Sequence, residues 1–272
     1  MVEPVERDAR GILAPERGLN HFRLHRHAPS REVARFVDRY WLVDWDLRGR
    51  APYVQRVFAH PVVNLVFGPV DAGLHGPTTR VGERELRGAG RALGVMFRPA
   101  GFRPFLGGPM TGITDRTVDP AEVFGARVRE LAVRVETAAD PETMVAHVDR
   151  FLAERLPTAR VACEDTADLV ERMAADPSVT RVEEVAAREG IGVRRLQRRF
   201  ADHVGLGPKA VIRRYRLYEV AERARSAGSV DWAALAAELG YSDQSHLVRE
   251  FTRLVGTPPA RYSRASRAGR GA

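Results

Sequence analysis

Hydrophobic positions along the 272-residue chain fall into two textures. From about 54 to 104 they come in short runs, such as Pro61-Val-Val-Asn-Leu-Val-Phe67 and Ala92-Leu-Gly-Val-Met-Phe97. These are cut by Gly68-Pro69, Gly76-Pro77, Gly82, Gly88 and Pro99. Short β-type runs with frequent turn residues predict an antiparallel sheet or barrel. Upstream, Val33, Phe36, Val37 and Tyr40 fall at helical spacing and predict a helix over 31–40. Downstream, 120–135 and 141–156 predict amphipathic helices, and beyond Pro157 every periodic segment reads as helical. The predicted fold is α+β. A β-rich, cupin-like unit with flanking helices occupies 1–158, an all-α unit 159–264, and a flexible basic tail 265–272.

The all-α part repeats itself. Glu184-Val-Ala-Ala-Arg-Glu-Gly-Ile191 returns fifty positions later as Ala234-Leu-Ala-Ala-Glu-Leu-Gly-Tyr241. Each copy is followed by an i, i+4 apolar pair, Leu196/Phe200 and Leu247/Phe251, with one extra residue in the second turn. This is the pattern of a helix-turn-helix. Small residues (Ala186-Ala187, Ala236-Ala237) let two short helices cross closely, and Gly190 and Gly240 end the first helix where a left-handed residue is needed. The second helix then buries its apolar pair and turns a polar face outward. That face carries Arg194, Gln197 and Arg198 in the first copy, and Gln244, Ser245 and Arg249 in the second. Arginine can bond guanine in bidentate fashion and glutamine can bond adenine, so these are residue types able to read base edges. Between the copies, Pro208 opens a helical stretch over 209–225, about 26 Å long at 1.5 Å per residue. It could hold two reading helices at a spacing comparable to one DNA turn, about 34 Å, and Arg213, Arg214 and Arg216 line its polar side.

Charge supports this division. The net charge is +8, and residues 1–175 are close to neutral, with 25 basic against 24 acidic residues, whereas 176–272 carry 18 against 11. A basic unit joined to a neutral one suits a nucleic-acid binder attached to something else. Of the cations, Lys209 is the one lysine and 42 are arginine, so the number of arginines alone marks no site. A single cysteine, Cys163, excludes an internal disulfide and a multi-cysteine metal site. No apolar run approaches the roughly 18 residues of a membrane span. The N-terminus has no secretory pattern, and a cytoplasmic location is expected.

The C-terminal third resembles the DNA-binding domain of AraC/XylS-type transcriptional regulators. The residues that carry the resemblance are Val185-Ala-Ala-Arg-Glu-Gly-Ile191, Arg195-Leu-Gln-Arg-Arg-Phe200, Gly205-Leu-Gly-Pro-Lys209, the arginine-rich helix to Ala224, Ala233-Ala-Leu-Ala-Ala-Glu-Leu-Gly-Tyr-Ser-Asp-Gln-Ser-His-Leu-Val-Arg-Glu-Phe251 and Gly256-Thr-Pro-Pro-Ala-Arg-Tyr262. The resemblance implies a seven-helix domain whose first helix is 166–175, with two recognition helices entering successive major grooves of double-stranded promoter DNA. Arg194, Gln197, Arg198, Gln244, Ser245 and Arg249 fall on its base-reading positions. His246 falls on a phosphate-contacting position, and Arg213, Arg214 and Ser242 are further phosphate candidates. Ser242 stands where the second recognition helix takes its N-cap, whereas the first copy has Gly192-Val193 and loses that hydroxyl.

Family architecture implies an effector-binding or dimerisation unit ahead of the reader, and RNA polymerase, a small-molecule effector and a second copy as partners. Phe97-Arg-Pro-Ala-Gly-Phe-Arg-Pro-Phe105, with Gly107-Gly108-Pro109 and Thr114-Asp115-Arg116, resembles a stretch in the N-terminal units of a group of these regulators. Trp41, Trp45, Phe97, Phe102 and Phe105 are candidate pocket residues, with ordinary core packing as the alternative. No metal or other cofactor is expected. His21, His25 and His27 are clustered and His60 and His75 lie in the β region, but His25-x-His27 precedes that region without a downstream Glu and His, so solvated loop histidines are expected there and no metal set. No catalytic residue is expected. The alternatives are a cupin-type metalloenzyme, or an alkyl-transfer repair protein using Cys163, each with an accessory reader.

Overall fold

The computed structural model describes residue 13 and residues 18–58, 60–78, 80–226 and 229–268. Its N-terminal half is built on a six-stranded antiparallel sheet. The strands are β1 (Phe22–His27), β2 (Val37–Asp46), β4 (Asn64–Phe67), β5 (Gly73–His75), β7 (Ala89–Phe97) and β8 (Thr117–Val118), in the order β1-β2-β7-β4-β5-β8. Among the described residues β3 (Tyr53–Phe58) and β6 (Val81–Leu86) pair only with each other, as a separate ribbon. The expected barrel is therefore two facing sheets that no ladder joins among the described residues. The β region also begins earlier than expected, at Phe22.

The helix expected over 31–40 is not formed. Val33–Arg35 makes one turn of 3-10 helix, and β2 starts at Val37. Along β2, Tyr40 and Leu42 point to one side, where they are fully buried, while Trp41 and Val43 point to the other, as the period of a strand requires. Tyr40, Leu42, Leu65, Leu93 and Val95 form one core with Val128, Leu131, Val145 and Leu152 from helices packed on that face. Those helices are α1 (Pro120–Phe124), α2 (Arg127–Glu136) and α3 (Pro141–Ala153). The single helix expected over 120–135 thus breaks at Gly125. His25 and His27 lie on β1 rather than in a loop, and His27 is buried.

The C-terminal half is all helix. It comprises α4 (Ala162–Ala175), α5 (Val182–Arg188), α6 (Val193–His203), α7 (Pro208–Ser226), α8 (Trp232–Glu238), α9 (Gln244–Val255) and α10 (Pro259–Ala268). The first of these starts four residues before the 166–175 expected. The last continues in helix through Ala268, so residues 265–268 are not tail, and 269–272 lie outside the described residues. The helices enclose two cores. One holds Val185, Leu196 and Phe200, the other Leu235, Leu247 and Phe251. α7, about 28 Å long at 1.5 Å per residue, serves both: Val211 and Ile212 enter the first core, Leu217, Val220 and Ala224 the second.

Neither helical core is closed by helices alone. Phe36 and Ala100 complete the first, and Leu13 and Phe58 the second. Arginines of the N-terminal half reinforce the first contact. The Arg35 guanidinium donates to both oxygens of Glu164 at 2.9 Å, and Arg98 bonds Asp168 and Glu171, all on α4. Glu164 is 4% exposed, and the charge-assisted bonds from Arg35 hold its carboxyl below the usual range. Arg103 reaches Asp202 on α6 at 2.9 Å.

Candidate nucleic-acid interface and the N-terminal cavity

Both copies of the sequence repeat close in the same way. In the first, Ile191 N–H donates to Ala186 C=O at 3.0 Å and Gly190 N–H to Ala187 C=O at 3.1 Å. In the second, Tyr241 N–H donates to Ala236 C=O at 2.8 Å and Gly240 N–H to Ala237 C=O at 3.1 Å. This pair of bonds is a Schellman ending, and the glycine in each takes the left-handed conformation it needs, with φ of 64° and 66°. Each turn then delivers the chain into α6 or α9, where Leu196, Phe200, Leu247 and Phe251 are fully buried, as their spacing predicted. Of the small residues, Ala186 and Ala236 sit at the buried crossings while Ala187 and Ala237 are exposed.

Burial of those pairs fixes what faces out. Arg194, Gln197 and Arg198 on α6, and Gln244, Ser245 and Arg249 on α9, are all exposed. None of their side chains makes a hydrogen bond or ion pair among the described residues. That sets these arginines apart from those the fold uses. Arg199, one residue along α6, donates to Thr166 Oγ1 at 2.7 Å and lies 3.7 Å from Glu189. Arg213 on α7 pairs with Glu250 on α9 at 2.8 Å. Arg216 donates to the Thr180 carbonyl and lies over the Tyr241 ring. Arg195 and Arg253 share the exposed, unpaired character of the reading faces, although the sequence pattern did not single them out. Arg253 follows Arg249 by one helical turn, a spacing that would have placed it.

The phosphate candidates fare differently. Arg214 is 4% exposed, with its guanidinium 5.3 Å from the centre of the Phe58 ring, so in this structure it packs between the two halves instead of facing DNA. Burial lowers its pKa, because desolvation disfavours the charged form. Ser242 does not cap α9. Asp243 does, accepting from His246 N–H at 2.7 Å, and this backbone bond holds the Asp243 carboxyl below the usual range. The extra residue of the second copy thus shifts the cap by one. Ser242 Oγ instead lies 3.1 Å from His246 Nδ1, and His246 Nε2 lies 3.6 Å from Glu250, so His246 and Arg213 share one carboxylate. The first copy has Gly192 at the cap and no side-chain bond there.

In the N-terminal half, the sheet face opposite the helices and the β3–β6 ribbon enclose a cavity of about 370 Å³. That is within the ordinary range for small-molecule sites, about 300–1,000 Å³. Its walls are mainly apolar, with Phe22, Leu24, Trp41, Trp45, Val57 and Phe58 among them. Trp41 lies flat on Gly94 of β7, where a Cβ would come within 2.0 Å of the indole. Both indole N–H groups are bonded internally, Trp41 to Asn64 Oδ1 at 3.2 Å and Trp45 to the Arg87 carbonyl at 3.0 Å. The other three predicted pocket residues lie elsewhere. Phe97, Phe102 and Phe105 form an edge-to-face and tilted aromatic cluster with Phe124, in the core that faces the helices. Among the described residues no three His, Cys, Asp or Glu side chains come together as metal ligands, and no helix is long and apolar enough to cross a membrane. Cys163 is 3% exposed, and burial pushes its thiol up to about 11, away from the reactive thiolate.

Residues 185–265 match a family described as a helix-turn-helix domain, and residues 25–119 match a domain of unknown function (DUF6597). The latter holds most of the sheet and both cavity tryptophans. A protein of Streptomyces lividans named provisionally as an AraC-like transcription regulator is 31% identical over 126 residues, which is 44% of this chain and 41% of that protein. A counterpart from Streptomyces antibioticus is 32% identical over the same shares. The chain thus spans about two fifths of the length of these relatives. Among solved structures, ToxT of Vibrio cholerae overlaps 79% of this chain and 98% of its own, with TM-score 0.40 and 11% identity. A ToxT structure with bound unsaturated fatty acid overlaps 89% and 91%, with TM-score 0.37 and 10% identity.

Proposed function

We propose that this chain, whose C-terminal segment is an AraC-type helix-turn-helix domain, is a sequence-specific transcriptional regulator that binds double-stranded promoter DNA. One observation carries the reading. Two identically closed helix-turn-helix copies each present an exposed row of Arg, Gln or Ser unpaired among the described residues, on a chain that holds Arg199, Arg213 and Arg216 in internal bonds. In this reading α6 and α9 enter major grooves, with Arg194, Gln197, Arg198, Gln244, Ser245 and Arg249 at base edges. His246, Arg213 and Ser242 lie toward phosphates, and Arg195 and Arg253 add positive charge. The N-terminal cavity takes a small-molecule effector, with Trp41 and Trp45 as walls. RNA polymerase and a second copy of the chain are the remaining partners the family reading adds, and the protein works in the cytoplasm. Cys163, enclosed in the first helical core, gives the alkyl-transfer alternative no accessible nucleophile.

Selection of the full chain against random-sequence DNA duplexes tests the proposal. Enrichment of a shared motif is expected, bound about a thousandfold or more tighter than shuffled sequence at physiological salt. Recovery of no motif, or equal binding to both, overturns it.

A further inference from the structure

The β3–β6 ribbon has two jobs. Val57, Phe58 and Val81 all wall the cavity, Val57 from one face of the ribbon and the paired Phe58 and Val81 from the other. Phe58 and Val81 also belong to the core of the second helix-turn-helix, with Leu217, Val220 and Leu247. The Phe58 ring lies 4.6 Å from the Tyr218 ring on α7, and its carbonyl accepts the Tyr218 hydroxyl at 3.1 Å. His60, another cavity residue, stacks on the same tyrosine at 4.6 Å. Arg56 of β3 donates to the carbonyl of Val255, the last residue of α9.

The first helix-turn-helix is held by different residues. Arg35, Phe36, Arg98, Ala100, Arg103 and Thr114 are among its contacts with the N-terminal half, Thr114 through a 2.8 Å bond to the Gly205 carbonyl. None of the six walls the cavity. The two reading helices are therefore attached to one scaffold by separable means.

Resting on the regulator reading above, we infer that the cavity takes a flat, mostly apolar molecule and that its occupancy is felt more by the second reading helix than by the first, through the β3–β6 ribbon. The ligand class follows from the walls. Trp41, Trp45, Phe22 and Phe58 offer aromatic surface, and both indole N–H groups are already bonded, so what the tryptophans present is apolar. The transmission follows from packing. Among the described residues the ribbon shares no ladder with the sheet; Leu86 packs on Phe22 and Trp45 and Arg84 pairs with Asp71, and elsewhere what fills the gap between the two sets its position. A close-packed core passes that displacement to Tyr218 and α9 instead of absorbing it. The coupling is reciprocal: DNA on the second motif changes affinity for the cavity molecule by the same factor.

Hydrogen exchange on the full chain tests this without knowing the natural ligand. The arms are wild type alone, wild type saturated with 2-naphthol, and two cavity-filling variants on different strands, Leu24→Phe and Val66→Phe. Filling is expected to change exchange over 232–255 by about threefold or more and to change 182–203 by clearly less. Tyr218→Phe and His60→Ala, which loosen the ribbon's seat, are expected to abolish the response to naphthol. An equal response in both motifs, or a response confined to 182–203, overturns the inference. So does protection of 53–58 and 81–86 with no change in 232–255. If naphthol protects nothing, the filling variants decide. If one of these fails to show a cooperative thermal transition, the other decides, and if both fail to fold, the absence of naphthol protection overturns the ligand class. No arm contains DNA, so the outcome is separate from the duplex selection.

Discussion

At the scale of single residues, chemistry depends on which way a side chain is turned. Arg198 and Arg199 are neighbours in a sequence crowded with arginine, yet one faces solvent unpaired while the other anchors α6 to Thr166 and Glu189. Sequence reasoning separated them correctly, because the i, i+4 apolar pair fixes the inward face. It could not foresee that Arg214 would be covered, since the surface that covers it, Phe58, lies more than 150 positions away. Thr166 makes a further prediction. Its fully buried hydroxyl accepts from Arg199 Nε and lies 2.7 Å from His203 Nδ1. Burial lowers the His203 pKa, with Asp202 opposing and Arg199 and Arg103 assisting. The unfolded chain takes up this proton below about pH 6.5 while the folded site resists it, so stability holds above that pH and is lost as pH falls through it. Thermal unfolding between pH 7.5 and 5.5 should show the loss, and His203→Gln should lessen it. An identical decline in both proteins would remove His203 as a source.

At the scale of elements, local signals were the legible ones. Each helix-turn-helix is written within about twenty residues, in a small residue at the crossing, a glycine at the turn and an apolar pair one turn apart. The structure places the glycine and the apolar pair as read, and of the small residues it keeps Ala186 and Ala236 at the crossing while Ala187 and Ala237 face solvent. Residues 31–40 misled because Val33, Phe36, Val37 and Tyr40 satisfy a helical period, while β2 buries side chains on both faces, Tyr40 and Leu42 on one and Trp45 on the other. A strand covered on both sides loses the alternation that would identify it. The capping difference between the reading helices gives a prediction at this scale. Gly192 has extended backbone and open space where a Cβ would stand, so Gly192→Ser should fit and stabilise by a few tenths of a kcal/mol. Asp243→Ala should lower stability by removing the bond to His246 N–H. Thermal denaturation of the two variants should shift in opposite directions, and a shift of the same sign would reject the capping account.

At the scale of the whole molecule, little was legible beyond the division into halves. The Arg35–Glu164 pair spans 129 positions, and the ribbon's seat on Tyr218 spans 160. No local pattern announces such contacts. The cavity was half foreseen: the tryptophans line it, whereas the phenylalanines join a core that the sequence could not distinguish from a pocket wall. What unites the molecule in this account is that two reading helices on one rod act on DNA. The most direct test compares dissociation constants of wild type and Arg249→Ala on the selected duplex and on its shuffled counterpart. A loss of about 1–3 kcal/mol is expected on the selected duplex and little on the shuffled one. Equal losses on both would contradict base reading by α9.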